Sequence, residues 1–285
     1  MKEILVTGGN GQLGSELNFL TQGSEDHYTF IDVEDLNLTD FGAVDRYFET
    51  NHFDYIINCA AYTAVDQAEK DEYIAFKLNT DLPGMLAKVA KAQQAKLIHI
   101  STDFVFEGSQ SSPLTEEDST NPISVYGQSK LDGEQAVAQN CQEYFILRTS
   151  WLYSSYGKNF VKTIIRLCEN RDKLGIVYDQ VGTPTYARDL ARVLLHVITN
   201  DLSDYGLYHY SNEGVASWYD FSVAIKELFE LGTNISPILA VEYPLPAARP
   251  AFSVMNKGKI KEVLGIDIPY WRKSLEACRE AMQEA

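Results

Sequence analysis

Several kinds of residue and pattern are scarce in this sequence, and each shortage excludes something. Its 285 residues include only four cysteines, at 59, 141, 168 and 278, with no Cys-x-x-Cys pair. Such spacing reads as buried free thiols rather than a disulfide framework, and fits a reducing compartment. No apolar run approaches the roughly 18 residues that a membrane-crossing helix needs. Basic residues are outnumbered: 24 Lys and Arg stand against 40 Asp and Glu, a formal net charge of −16. No run of Lys or Arg relieves that balance. A surface of this sign repels phosphate backbones, so neither nucleic acid nor a membrane is an expected partner. An anionic small ligand would have to be held by a few specific cations. There is no internal repeat and no low-complexity segment. Residues 1–6 enter a strand at once, without a leader-like stretch, so a cytoplasmic location is expected.

What is present is enough for a substantial core: 45% of residues are apolar, in a chain long enough for one large domain or a domain with a second lobe. The first half alternates short apolar runs with stretches of helical spacing. Strands are expected at 3–7, 28–33, 55–57, 97–100 and 144–147. Helices are expected at 13–20, from 41 (apolar face Phe41, Val44, Tyr47, Phe48, capped by Thr39 or Asp40), at 71–93 and at 129–139. Pro83-Gly84 is expected to break or kink the third of these. Repeated strand–helix–strand units imply an α/β fold, a doubly wound, parallel, Rossmann-like sheet. The second half is less regular. Helices are expected at 159–170, 185–200, 217–231, 257–264 and 271–282, and strands at 206–210 and 237–243, with a Pro-rich loop at 244–250. The expected division is a dinucleotide-binding domain at 1–150, to which the helix near 185–200 returns, and a smaller, mainly substrate-binding lobe at 151–285.

Thr7-Gly8-Gly9-Asn10-Gly11-Gln12-Leu13-Gly14 places glycines at 8, 11 and 14, between the first strand and the first helix. Glycines there permit a tight turn and let the backbone approach a pyrophosphate at a helix amino end. Asp32 ends the second strand. Its carboxylate suits an adenosine ribose and repels a 2′-phosphate, and the following Val33-Glu34-Asp35 brings no cation. The cofactor is therefore NADPH or NADH, with NADH expected to serve at least as well. Asn58-Cys59-Ala60-Ala61-Tyr62 offers small residues against which a cofactor could lie, or simply a compact turn.

Tyr126 and Lys130 lie four residues apart, downstream of Ser101-Thr102-Asp103. The spacing alone says little, because Tyr73 and Lys77 share it. Context separates the two pairs: only Tyr126 follows a strand end that carries hydroxyls. A phenol titrates near pH 10, too high for easy proton exchange. A lysine one helical turn away is expected to lower that value and make the hydroxyl a usable acid or base, while Thr102 holds a carbonyl oxygen in reach.

These residues resemble the extended short-chain dehydrogenase/reductase superfamily, and within it the dTDP-4-dehydrorhamnose reductase family. The resemblance rests on residues 6–14, 58–66, 101–106 and 125–127, on Arg148-Thr149-Ser150-Trp151 and on Arg249-Pro250. It implies an NAD(P)H-dependent oxidoreductase that reduces the C4 carbonyl of a dTDP-4-dehydro sugar. It implies Tyr126 as proton donor, Lys130 as holder of the nicotinamide ribose, and Thr102 as the residue that orients the carbonyl. Asp103 and Trp151 would contact the substrate. Gly8, Gly11, Gln12, Leu13 and Gly14 would meet the pyrophosphate, and Ala60, Ala61 and Tyr62 the cofactor beyond it. On charge alone, Arg249 could pair with the substrate's diphosphate. Lys158 and Asn159 are further candidates for reaching the nucleotide. Some family members hold magnesium at a dimer contact through glutamates. Glu16 matches one such position but Arg188 stands at another, so no metal is expected, and the state is monomer or homodimer. The rival readings are another nucleotide-sugar reductase or epimerase, or a non-catalytic regulatory subunit of the same fold.

Overall fold

Alternation of apolar runs and amphipathic stretches builds the elements of a computed structural model that describes residues 1–284. Ala285, the last residue of the expected 151–285 lobe, lies outside the described residues. The first half gives β1 (Glu3–Thr7), α1 (Gln12–Leu20), β2 (His27–Ile31), α2 (Phe41–Thr50), β3 (Tyr55–Asn58), α3 (Val65–Ala68), α4 (Glu72–Phe76), α5 (Leu82–Gln93), β4 (Lys96–Thr102), α6 (Val125–Asn140) and β5 (Tyr144–Thr149). The second half gives β6 (Leu152–Tyr153), α7 (Phe160–Asn170), β7 (Lys173–Val177), β8 (Val181–Gly182), β9 (Thr185–Tyr186), α8 (Ala187–Thr199), β10 (Gly206–His209), β11 (Ala216–Ser217), α9 (Trp218–Leu228), β12 (Asn234–Ile238), α10 (Gly258–Leu264) and α11 (Trp271–Glu284).

Six strands form one sheet in the order β10-β5-β4-β3-β1-β2, every pairing parallel. Successive strands wind outward from β1 in both directions. This is the doubly wound, Rossmann-like arrangement, and it opens a crevice at the carboxyl ends of β1 and β3. The pleat sends neighbouring side chains to opposite faces. Ile4 and Val6 pack with Leu13, Leu17, Leu190 and Leu194 of α1 and α8. Leu5 packs on the other face with Val44, Phe48, Leu86 and Val137 of α2, α5 and α6. Both faces are thus covered, as a parallel sheet requires. A third core, with Tyr153, Val161, Phe221, Ile225 and Trp271, gathers under α7, α9 and α11. The chain returns to the large sheet through α8 and then through β10, which adds its edge strand beside β5.

Four elements differ from the sequence expectation. α6 begins at Val125 rather than 129, because the Ser124 side chain accepts from the Gly127 amide and caps the helix earlier. Tyr126 and Lys130 are therefore both helical. The 71–93 stretch is not broken at Pro83-Gly84; instead a wide π turn at Lys77–Asp81 precedes α5, and Pro83 falls in its first turn, where a missing N–H costs least. The 185–200 segment opens with β9 before α8 begins. The strand expected at 237–243 is β12 at Asn234–Ile238. It pairs only with β7, so Pro237 sits on an edge, where its lack of a donor is tolerated.

Candidate active site

A cleft of about 850 Å³ follows the carboxyl edge of the sheet. At one end lies the glycine turn. Gly8 has φ +68°, and a Cβ there would come within 2.9 Å of the Ala60 backbone nitrogen. A Cβ on Gly14 would overlap the carbonyl oxygens of Gly8 and Gly9. Only glycine lets these segments close up while leaving α1's amino end open to the cleft. Gly8, Gly11, Gln12, Leu13, Gly14, Asp32, Ala60 and Ala61 all line it. Asp32 already accepts from the Asn10 amide at 2.8 Å and from its neighbour Val33 at 2.8 Å, which fixes its carboxylate at the rim. The buried Gln12 Oε1 has no protein partner. Close backbone, a helix amino end and a rim carboxylate together fit a dinucleotide. Tyr62 departs from expectation: its amide donates to Asn79 Oδ1 at 2.8 Å, its phenol donates to Asp71 Oδ2 at 2.9 Å, and it is absent from the cleft wall.

The other end brings together Thr102, Asp103, Tyr126, Lys130 and Trp151. Helix α6 can approach because two of its residues are glycines. A Cβ on Gly127 would overlap the Phe104 carbonyl, and one on Gly133 the Asn79 carbonyl. The Tyr126 ring meets Phe104 edge-on, with centroids 5.5 Å apart. Lys130 Nζ donates to the Ile100 carbonyl at 2.6 Å. Burial pulls this lysine down to about 8, with Glu134 and Cys59 acting the other way. The Tyr126 phenol is not lowered as expected. Burial pushes it up to about 12, the Thr102 hydroxyl opposes this, and the Asp103 charge adds to it. The reason is geometric: the lysine's ammonium is turned onto the strand end, and loss of solvent dominates at the phenol. Thr102 Oγ1 donates to Asp103 Oδ1 at 3.2 Å and accepts from the Phe104 amide at 3.2 Å. Asp103 is buried, its Oδ2 has no protein partner, and burial raises its carboxyl to about 6.

Behind this end lies a buried network that sequence reasoning missed. Arg148 donates to both oxygens of Glu134, at 2.9 and 2.7 Å, and Ser101 Oγ donates to Glu134 Oε1 at 2.5 Å. His209 stands against Arg148 at 3.4 Å and is held down to about 3 by burial and by that guanidinium. Glu134 lies one turn beyond Lys130, so its spacing and the Arg148-Thr149-Ser150-Trp151 string were the available signals. Three more cleft residues, Cys59, Thr149 and Ser150, carried no separate signal.

Arg249 is not on the cleft wall. Its guanidinium nitrogens take both oxygens of Asp66, at 3.0 and 2.8 Å, and donate to the Ala247 carbonyl at 2.9 Å. It ties the Pro-rich loop to α3. Lys158 and Asn159 do line the cleft, and Asn159 also caps α7. Glu16 is buried, accepting from Arg188 Nε at 2.7 Å and from Ser154 Oγ at 2.6 Å. No cluster of three or more His, Cys, Asp or Glu able to hold a metal occurs among the described residues. The rival pair lies on α4 and the turn after it, where Tyr73 is 72% exposed.

The family described as RmlD substrate binding domain matches residues 1–284. The chain is 38% identical to a dTDP-4-dehydrorhamnose reductase of Aggregatibacter actinomycetemcomitans, over 98% of this chain and 99% of that one. Among solved structures it resembles a dTDP-4-dehydrorhamnose reductase, an RfbD ortholog from Clostridium acetobutylicum, with TM-score 0.95, 42% identity and 99% of both chains covered. It also resembles the Bacillus anthracis dTDP-4-dehydrorhamnose reductase solved in complex with NADP, with TM-score 0.94, 37% identity, and 98% and 99% of the two chains covered. With the family model and full-length similarity in agreement, this chain belongs to the RmlD substrate binding domain family.

Proposed function

We propose that this protein reduces the C4 carbonyl of dTDP-4-dehydro-β-L-rhamnose to give dTDP-β-L-rhamnose, the final step of dTDP-L-rhamnose synthesis, with NADPH or NADH as reductant. The observation that carries the reading is one cleft with a glycine turn at one end and Thr102, Tyr126 and Lys130 at the other. Full-length relatives named for this reaction, one of them bound to NADP, support it.

Gly8, Gly11, Gln12, Leu13, Gly14, Asp32, Ala60 and Ala61 would hold the cofactor, and Lys130 its nicotinamide ribose. When bound, the reduced nicotinamide supplies a hydride. The chain's own part is protonation. A phenol near 12 stays protonated at neutral pH, so Tyr126 enters the reaction as a donor. Thr102, one strand end away, aligns the carbonyl oxygen. Lys130, its ammonium turned onto the Ile100 carbonyl, would act through the ribose it holds rather than on the phenol itself. Asp103, Trp151 and Lys158 serve the nucleotide-sugar. Residues 1–150, with the returning α8, carry the cofactor, and 151–285 mainly the substrate. No helix among the described residues is long and apolar enough to cross a membrane, and four free cysteines suit a reducing cytoplasm. The protein would work there as a monomer or homodimer.

The test follows nicotinamide absorbance with dTDP-4-dehydrorhamnose and each cofactor in turn. Stoichiometric oxidation is expected, with NADH at least as effective as NADPH. Sugar conversion without net oxidation would favour an epimerase, no conversion at all would defeat the reading, and a strong NADPH preference would overturn the role given to Asp32.

A further inference from the structure

Trp151 is held in a conformation that a bulky residue rarely adopts. Its φ is +47°, in the left-handed region, and such geometry persists only where the surroundings fix it. Two neighbours do so. The first is Gly182, where a Cβ would stand 2.8 Å from Trp151 Cε2 and 2.9 Å from Nε1. The second is Trp218, the first residue of α9, with ring centroids 3.5 Å apart and planes 6° from parallel. The Ser217–Asp220 capping box fixes the start of that helix, with Ser217 Oγ to Asp220 Oδ2 at 2.6 Å. Trp218 also packs on Phe160 of α7, at 4.5 Å between centroids. Phe160 directly follows Lys158 and Asn159, which line the cleft as Trp151 does.

Two parts of the cleft wall, Trp151 and residues 157–159, are thus joined through one indole that is not itself on that wall. We propose that Trp218 is a positioning residue for the nucleotide-sugar: it holds Trp151 and the start of α7 as one wall and acts on the substrate only through them. The inference rests on the proposed reaction for the identity of that substrate. It predicts a selective defect, since the glycine turn and α6 are untouched by Trp218.

Stacked indoles couple their transitions and give a paired near-UV circular dichroism signal, readable with only three tryptophans in the chain. Three proteins would be compared: wild type, Trp218→Ala and Trp218→Phe. For Trp218→Ala the signal should vanish and the KM for dTDP-4-dehydrorhamnose should rise about tenfold, while kcat and the cofactor Kd stay within about threefold. Trp218→Phe should lose the signal yet recover most of the KM, because a ring is restored. In wild type, titration with dTDP should alter the paired signal. Unchanged KM in Trp218→Ala, equal damage to cofactor binding, or no rescue by phenylalanine would overturn the proposal. Should the alanine variant not fold, a paired signal indifferent to saturating dTDP would overturn it as well. Wild type that oxidises neither cofactor would defeat the reaction instead, while the dTDP titration would still judge the stack.

Discussion

Asp103 is a buried carboxyl beside Thr102, with one oxygen unpartnered in protein and its ionisation raised to about 6 from an ordinary 3.8. Between those values the folded chain keeps a proton that the unfolded chain has lost. Its contribution therefore lowers stability as pH rises from about 4 to about 6, and the cost persists at neutral pH. Asp103→Asn removes the buried charge. It should stabilise the protein by about 3 kcal/mol at pH 7, with most of the gain gone by pH 4. Urea unfolding at both pH values measures this; no gain at pH 7, or the same gain at both, would refute it. Such a residue points to stability given up for a task in the cleft. Tyr126 follows the same logic: burial keeps its proton on, which suits donation to a developing alkoxide.

At the scale of elements, helix α6 carries both Tyr126 and Lys130, and its closeness to the turn at Lys77–Asp81 sets where they stand. Gly133 permits that contact. Gly133→Ala should cost about 1–3 kcal/mol, because its methyl meets the Asn79 carbonyl, whereas Gly232→Ala, with open space around it, should stay within about 0.5 kcal/mol. Chemical denaturation of the two variants decides, and equal stability would contradict the packing argument. Elements written in local pattern were legible in the sequence: the β1–α1 glycine turn, a cap of α2 at Thr39 or Asp40, which is Asp40, and the buried parallel strands. What was not legible depends on distant partners. Ser124 caps α6 five residues before the expected start at Ser129. Only the folded chain places Asp66 where it claims Arg249, Asp71 where it claims Tyr62, and Ile100 where its carbonyl takes Lys130. Trp218 looked like an ordinary residue at a helix start, because its stack with Trp151 joins positions 67 residues apart in sequence.

For the whole molecule, the parallel sheet carries the glycine turn and α6, and the third core under α7, α9 and α11 carries Trp218 and Phe160, which back the wall at Trp151. Net charge is −16, yet the cleft wall includes two cations, Lys130 and Lys158, while Arg249 is spent on Asp66. The charge that meets an anionic ligand is therefore local, against a repelling surface. On the proposed reaction, cofactor and sugar meet between the two ends, at Tyr126. The most direct test compares wild type with Tyr126→Phe in oxidation of the reduced nicotinamide by dTDP-4-dehydrorhamnose, with cofactor affinity measured alongside. Loss of about 10²–10⁴-fold in rate with unchanged cofactor affinity is the expected result; a phenylalanine variant as fast as wild type would contradict the account.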